Sequence, residues 1–217
     1  MRFGRLARVL LISAFCSVCP LDASAQEPPP RIPFIAADIH ATVPKFPASD
    51  NLAASRGMTL AELPGRGWGL HGTVTIYPLK WHAITFGLGG EVTTNRATYQ
   101  PDATTAGVRG SEEKFVYAAP QLSFNFGSGH GWSYLSGGVG YSKWSLVPDG
   151  SASIPPDTER LKTINYGGGA RWFVRPHLAF SFDARFYAIN PGTPYNDYPA
   201  GSPRTTLFIV GAGISVK

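Results

Sequence analysis

The sequence predicts an all-β protein, an eight-stranded antiparallel up-and-down transmembrane β-barrel. Three observations carry that prediction. Eight stretches alternate polar and apolar residues with period two, short and long joins take turns between them, and the tryptophans stand at the ends of the stretches. Charged residues make up only 15 % of the chain, against roughly 25 % in ordinary soluble proteins. No apolar run approaches the roughly 20 residues that a membrane helix needs, so any membrane crossing falls to strands.

Residues 1–25 read as a signal peptide. Arg2, Arg5 and Arg8 make a basic start, Val9 to Val18 is a short, largely apolar stretch, and Ala23-Ser24-Ala25 offers a small-residue cleavage site before Gln26. Both cysteines, Cys16 and Cys19, lie in this segment, so disulfides play no part in the exported chain. Residues 26–31, with Pro28-Pro29-Pro30, read as a Pro-rich leader, and 32–217 as a single barrel domain. The net charge of +5 becomes milder still when three arginines and one aspartate leave with the signal. So weak and scattered an excess argues against nucleic acid as a partner.

The alternating stretches are 32–43, 66–78, 82–96, 113–126, 132–146, 160–174, 177–189 and 204–216. Tight joins follow the second, fourth and sixth: Leu79-Lys80-Trp81, Gly127-Ser128-Gly129-His130-Gly131 and Arg175-Pro176. The remaining joins, 44–65, 97–112, 147–159 and 190–203, are long and carry loop chemistry. Only a short turn near Thr59 to Leu63 has a helical look. Tight turns at one end and long loops at the other describe a meander, and closing eight strands removes the free edges. The spacing G-x-G-x-x-G from Gly67 to Gly72 is not a phosphate-binding turn. That motif needs a helix after it, and Thr73-Val74-Thr75-Ile76-Tyr77 is β-branched, aromatic and alternating.

Which face meets lipid follows from composition. In the second stretch Trp68, Leu70, Val74 and Ile76 oppose Gly69, His71, Thr73 and Thr75. In the fourth, Val116, Ala118, Leu122 and Phe124 oppose Tyr117, Gln121, Ser123 and Asn125. In the seventh, Leu178, Phe180, Phe182 and Phe186 oppose Ser181, Asp183, Arg185 and Tyr187. A water-facing exterior carries many Lys and Glu; these polar faces are small and neutral for the most part, which suits a narrow interior. Trp68, Trp81, Trp132, Trp144 and Trp172 are the expected interface aromatics, with the ring in lipid and the N–H in the headgroup zone. The same observations weigh against a soluble, lipocalin-like binding barrel.

The stretches FVYAAPQLSFNFG, YLSGGVGYS and NYGGGARWFVRPHLAFSFDARFY resemble the central and late strands of the small outer-membrane β-barrel family. OmpA-type transmembrane domains, OmpX and the opacity-type surface proteins belong to it. The resemblance covers 32–217 and rests on loose patterns. It implies an eight-stranded, porin-like barrel in the outer membrane of a Gram-negative bacterium, with lipid and the barrel-insertion machinery as partners and a monomeric state. Family members usually end on an aromatic residue, whereas this chain ends Ser215-Val216-Lys217. A peptidoglycan-binding domain of the OmpA kind is not expected.

With the polar face inward, Asp38, His71, Glu91, Arg171, Asp183 and Arg185 form an expected lumen charge network, with His40 beside it. Buried charges cost several kcal/mol unless paired. Register across the Arg175-Pro176 turn sets Gly169 and Gly167 near Asp183 and Arg185, leaving room for the long side chains, and His71 is expected near Glu91. The network reads as a plug, with a gated pore or proton-linked path as the functional alternative. No catalytic, metal or cofactor site is expected: the five histidines are dispersed, and no Ser and His pair on the outward faces. The acids Asp102, Glu112, Glu113, Asp149, Asp157 and Glu159 read as solvated loop tips. The function expected is therefore structural or surface-interacting, through four loops whose ligand the sequence leaves unnamed. The alternative is an OmpW-like channel for small apolar molecules.

Overall fold

The computed structural model describes residues 31–102, 107–195 and 204–217; the expected signal segment and most of the Pro-rich leader lie outside them. Eight antiparallel strands, rich in β-branched and aromatic residues, close into a barrel in sequence order. They are β1 (Ile35–Lys45), β2 (Trp68–Trp81), β3 (Ile84–Tyr99), β4 (Ser111–Ser128), β5 (Gly131–Pro148), β6 (Leu161–Arg175), β7 (Leu178–Ile189) and β8 (Thr205–Val216). β1 closes on β8 from Ala37↔Val216 to Lys45↔Phe208. Every strand thereby has two neighbours.

The strands match the alternating stretches to within a few residues, with one instructive shift. β2 does not stop before Leu79-Lys80-Trp81 but runs through it, and the tight turn falls at His82-Ala83. Pro78 has no N–H to give the ladder, so the β2–β3 register slips between Ile76 and Leu79, and pairing resumes beyond the bulge. The predicted register across the β6–β7 turn is found, Gly169↔Asp183 and Gly167↔Arg185. A Cβ at Gly169 would stand 2.6 Å from the Tyr134 hydroxyl oxygen, and one at Gly167 would stand 2.9 Å from Arg185 Cγ. Both glycines exist to make room.

Alternation sorts the side chains. Leu70, Val74, Leu122, Leu135, Phe180, Phe182 and Ile214 face out and are exposed. The inward residues stack in three tiers. Ala36, Tyr77 and Trp132, with Ile32 and Phe173 against them, fill the short-turn end. The ionisable residues occupy the middle. At the loop end Phe115, Trp144, Leu146, Leu161, Ile189 and Leu207 pack with Phe46, Leu52, Ala53, Met58 and Leu63, which come from the first long join. That join doubles back over the barrel mouth. It holds α1 (Asp50–Ser55), whose N-cap Ser49 hydroxyl accepts the Leu52 N–H, and a single 3₁₀ turn (Leu60–Glu62) at the expected place. A six-residue helix is too short for its periodicity to show in sequence.

Two of the five expected interface tryptophans need correction. Trp68, Trp81 and Trp172 face outward, 69 %, 61 % and 54 % exposed, but Trp132 and Trp144 point into the barrel at 3 % and 2 %. Trp132 stacks on Phe173 and meets Tyr77 edge-on. Trp144 donates its indole N–H to Glu113 at 2.7 Å. Position at a strand end fixes the height of a side chain; its parity along the strand fixes the side.

Phe182 lies near the middle of β7 on the outward face. Phe182→Arg is expected to destabilise the barrel in bilayers by about 2–4 kcal/mol, and Thr98→Arg, at the loop-end rim, by about 0–1 kcal/mol. Urea titrations in lipid vesicles measure both, and equal costs would contradict the assigned outward face.

Candidate functional site: the ionisable interior

All eight strands bring inward positions to the middle tier. Asp38 on β1 takes a two-point contact from Arg171 on β6, with Nε at 2.7 Å from Oδ1 and Nη2 at 2.6 Å from Oδ2. Thr73 donates to Oδ2 at 2.6 Å, and the Ser215 hydroxyl donates to Oδ1. The Asp38 carboxylate is thus saturated with donors. The Arg171 guanidinium lies over the Tyr134 ring, 4.2 Å from its centroid, so its apolar face is covered as well.

Arg185 on β7 makes the second centre. Its Nη2 donates to Asp183 at 3.1 Å and to the Ser136 hydroxyl at 2.8 Å, and its Nε lies 2.8 Å from Asp183 Oδ1. Its Nη1 lies 3.2 Å from Glu91. Tyr134 donates to Asp183 at 2.7 Å, and the Gln121 and Asn165 amides donate to Glu91. Each carboxylate is shared between a cation and neutral donors, which is the arrangement that makes buried charge tolerable.

The histidines join this centre. His71 Nε2 is 3.2 Å from Glu91 Oε2. A carboxylate only accepts, so His71 carries a proton on Nε2. His71 Nδ1 is 3.3 Å from His40 Nδ1, and His40 Nε2 is 2.8 Å from the Ser181 hydroxyl, with the two rings stacked. In the neutral pair Ser181 donates to His40, His40 to His71 and His71 to Glu91. A serine against a histidine has the outline of a nucleophile and its base, but Ser181 and His40 are 1 % and 0 % exposed. Among the described residues no cluster of His, Cys, Asp or Glu is placed to hold a metal.

Asp38, His71, Glu91, Arg171, Asp183 and Arg185, singled out in the sequence, therefore all lie in one buried tier. Sequence reasoning set Thr73, Gln121 and Ser181 on the inward faces without pairing them, and did not single out the neutral partners Tyr134, Ser136, Asn165 and Ser215. Inward parity was their only sequence signal, and dozens of positions share it.

A second polar set pins the first join over the mouth. Arg56 Nη1 donates to Asp157 Oδ1 at 2.7 Å, both side chains being buried, and Asp157 also accepts the backbone N–H groups of Leu146 and Ile154. Glu62 accepts from the backbone N–H of Thr59 at 2.6 Å and of Arg109 at 2.9 Å, and from Arg109 Nε at 3.1 Å. Glu113 and Asp157, expected as solvated tips, are corrected to buried groups. The folded join turns what would be rim positions into interior ones. Arg96 and Lys114 hold Glu112, and Glu159 accepts from Thr193.

A closed eight-stranded up-and-down barrel, apolar outside and ionisable within, is the architecture of small outer-membrane β-barrels. Neisserial surface protein A has this fold: its structure superposes on the present chain with a TM-score of 0.56 at 13 % identity, over 85 % of this chain and 97 % of that one. The outer membrane protein OprG of Pseudomonas aeruginosa gives 0.46 at 9 % identity (87 % and 97 %). Ail, the attachment invasion locus protein of Yersinia pestis, in complex with the heparin analogue sucrose octasulfate, gives 0.44 at 14 % (83 % and 96 %). No family model matches the chain, and no curated protein matches it significantly.

Two outcomes follow from these geometries. Arg185→Ala leaves Asp183 and Glu91 buried without their cation and is expected to cost about 3–5 kcal/mol in urea unfolding. The backbone N–H groups of Thr59 and Arg109 hold the Glu62 carboxyl down at about 2, from an ordinary 4.5. A depressed carboxyl stabilises above its unfolded pKa and loses that contribution as pH falls through its folded one. The cap should therefore loosen between about pH 4.5 and pH 2, read as a red shift of Trp144 emission. Glu62→Gln should abolish that pH dependence.

Proposed function

We propose that this chain is a non-enzymatic outer-membrane barrel of a Gram-negative bacterium, exported by a cleaved signal at residues 1–25. Its role is structural or surface-interacting. The barrel of residues 32–217 anchors four loops at the cell surface and keeps a polar, closed lumen. Outer-membrane lipid and the insertion machinery are its partners, and it works as a monomer. The observation that carries this reading is the inversion of polarity. Phe180, Phe182, Leu122 and Leu135 are exposed, while Asp38, Glu91, Arg171 and Arg185 are buried. In water so much exposed apolar surface would aggregate; in lipid it is the favourable arrangement.

The closed lumen is supported by the three filled tiers. Arg171 and Arg185 with their carboxylates cross the middle, Trp132 stands at one end and the first join at the other. A channel for apolar molecules would have to pass the charged tier. The Ser181–His40 pair is sealed within the same packing, which supports a hydrogen-bonding role over catalysis. Trp68, Trp81 and Trp172 are the aromatics assigned to the membrane interfaces.

The orientation puts the long joins outside the cell. Ser151→Cys and Asp102→Cys are expected to label in intact cells with a membrane-impermeant thiol reagent, and Ala83→Cys and His130→Cys only after permeabilisation. The reverse pattern would invert the topology. A protein that stays folded and monodisperse in buffer without detergent would refute the membrane reading.

A further inference from the structure

The outward faces of β3, β4, β5 and β6 end alike at the loop side. Each runs apolar along the barrel and then meets a cation: Arg96 above Val92, Lys114 above Val116, Lys143 above Val139, and Lys162 above Ile164, with Arg160 just beyond. All five are exposed. The outward faces of β7 and β8 carry no charge. Arg96 and Lys114 sit directly opposite one another in the ladder, an unfavourable pairing that Glu112 relieves by holding both. Lys143, Arg160 and Lys162 have no such relief: among the described residues no carboxylate reaches them. They gather around Tyr141, which pairs with Lys162 across the ladder and lies under the Arg160 guanidinium at 4.6 Å.

Beneath this patch, on the same four strands, the barrel wall is dented. The β4–β5 ladder has no paired residues between Ala118↔Tyr141 and Leu122↔Gly137. Pro120 cannot donate there, and Gly137 and Gly138 present no side chain. The result is a groove of about 720 Å³ on the outward surface, between Leu88, Pro120, Leu122, Val139 and Ile164. Ile164 on its wall is two residues from Lys162, about 7 Å along the strand.

We propose that the outward face of β3–β6 docks one class of membrane lipid, with phosphate on its headgroup. The phosphate meets Lys143, Arg160 and Lys162, and an acyl chain lies in the groove below. This rests on the membrane reading above. The cations project sideways from a lipid-facing wall, so a ligand there must be amphipathic, with its anion toward the loops and its apolar part toward the barrel's middle. Lysine and arginine at headgroup depth attract anionic lipid, and a guanidinium fixed on an aromatic ring is preorganised for phosphate.

The test uses the full barrel in phosphatidylcholine bilayers doped with phosphatidic acid of the same acyl chains. Folding is checked by heat-dependent gel mobility, and co-released lipid is counted by native mass spectrometry. Phosphatidic acid should be retained severalfold above its share of the bilayer. The triple variant Lys143→Gln, Arg160→Gln, Lys162→Gln should lose that enrichment, and Lys80→Gln with Arg175→Gln at the opposite end should keep it. Equal retention by all three folded proteins overturns the lipid site and leaves the membrane reading standing. Failure to fold into the bilayers overturns both. Saturable binding of inorganic phosphate in uncharged detergent, without enrichment of phosphatidic acid, would overturn the lipid assignment in favour of a free anion.

Discussion

Everything in this protein depends on the hydrogen-bonded seam between its first and last strands. Without the pairing of β1 with β8, two rows of backbone donors and acceptors would stand open in an apolar surround, each unmet group costing several kcal/mol. With it, the sheet has an inside and an outside, and period-two alternation becomes a complete sorting rule. Asp38 illustrates the dependence. It sits on the seam strand and accepts from Ser215 on β8 while gripping Arg171 on β6. The seam and the interior network are thus parts of one object.

The interior is narrow, and its chemistry follows from that. Eight strands leave room for side chains and little else. Long residues fit only where a neighbour gives way, which is the office of Gly167 opposite Arg185 and Gly169 opposite Asp183. Once inside, a guanidinium needs acceptors on several sides, and only facing strands can supply them. Arg185 therefore draws on β3, β4 and β5 as well as its own strand. A tier built in this way tolerates the loss of none of its charged members, because each such removal strands an opposite charge.

The mouth is closed by a different principle. The first join brings Phe46, Leu52 and Met58 onto the aromatic top of the barrel, an apolar contact without direction. Direction comes from the ion pair of Arg56 with Asp157 and the donor set around Glu62. One anchor comes from the third long join and the other from the second. The cap is thereby tied to its neighbours as well as to the barrel beneath it.

Much of this was legible in the chain itself, because a strand's alternation is a local property. The eight segments, their turns, the outward apolar faces and the inward set from Asp38 to Arg185 all follow from period two and from turn chemistry. Even the neighbourhood of Gly169 and Asp183 could be counted from the turn to within one residue, the bulge between Phe173 and Arg175 setting the last step. What alternation cannot supply is any relation between residues that meet only after the barrel has closed. Asp38 and Arg171 are 133 positions apart and join across the lumen. The bulge at Pro78 slides β2 past the point where its turn was expected. Trp144 has the strand-end position of an interface residue, but it shares the inward parity of Ser142 and Leu146 and so points into the barrel, where Glu113 takes its N–H. The fold over the mouth, which buries Glu113 and Asp157, comes from apolar residues scattered through a long join. The sequence alone determined the alternation of faces along each strand and most of the residues of the inward set. Closure and packing, which act between strands and over long separations, decided which of them touch.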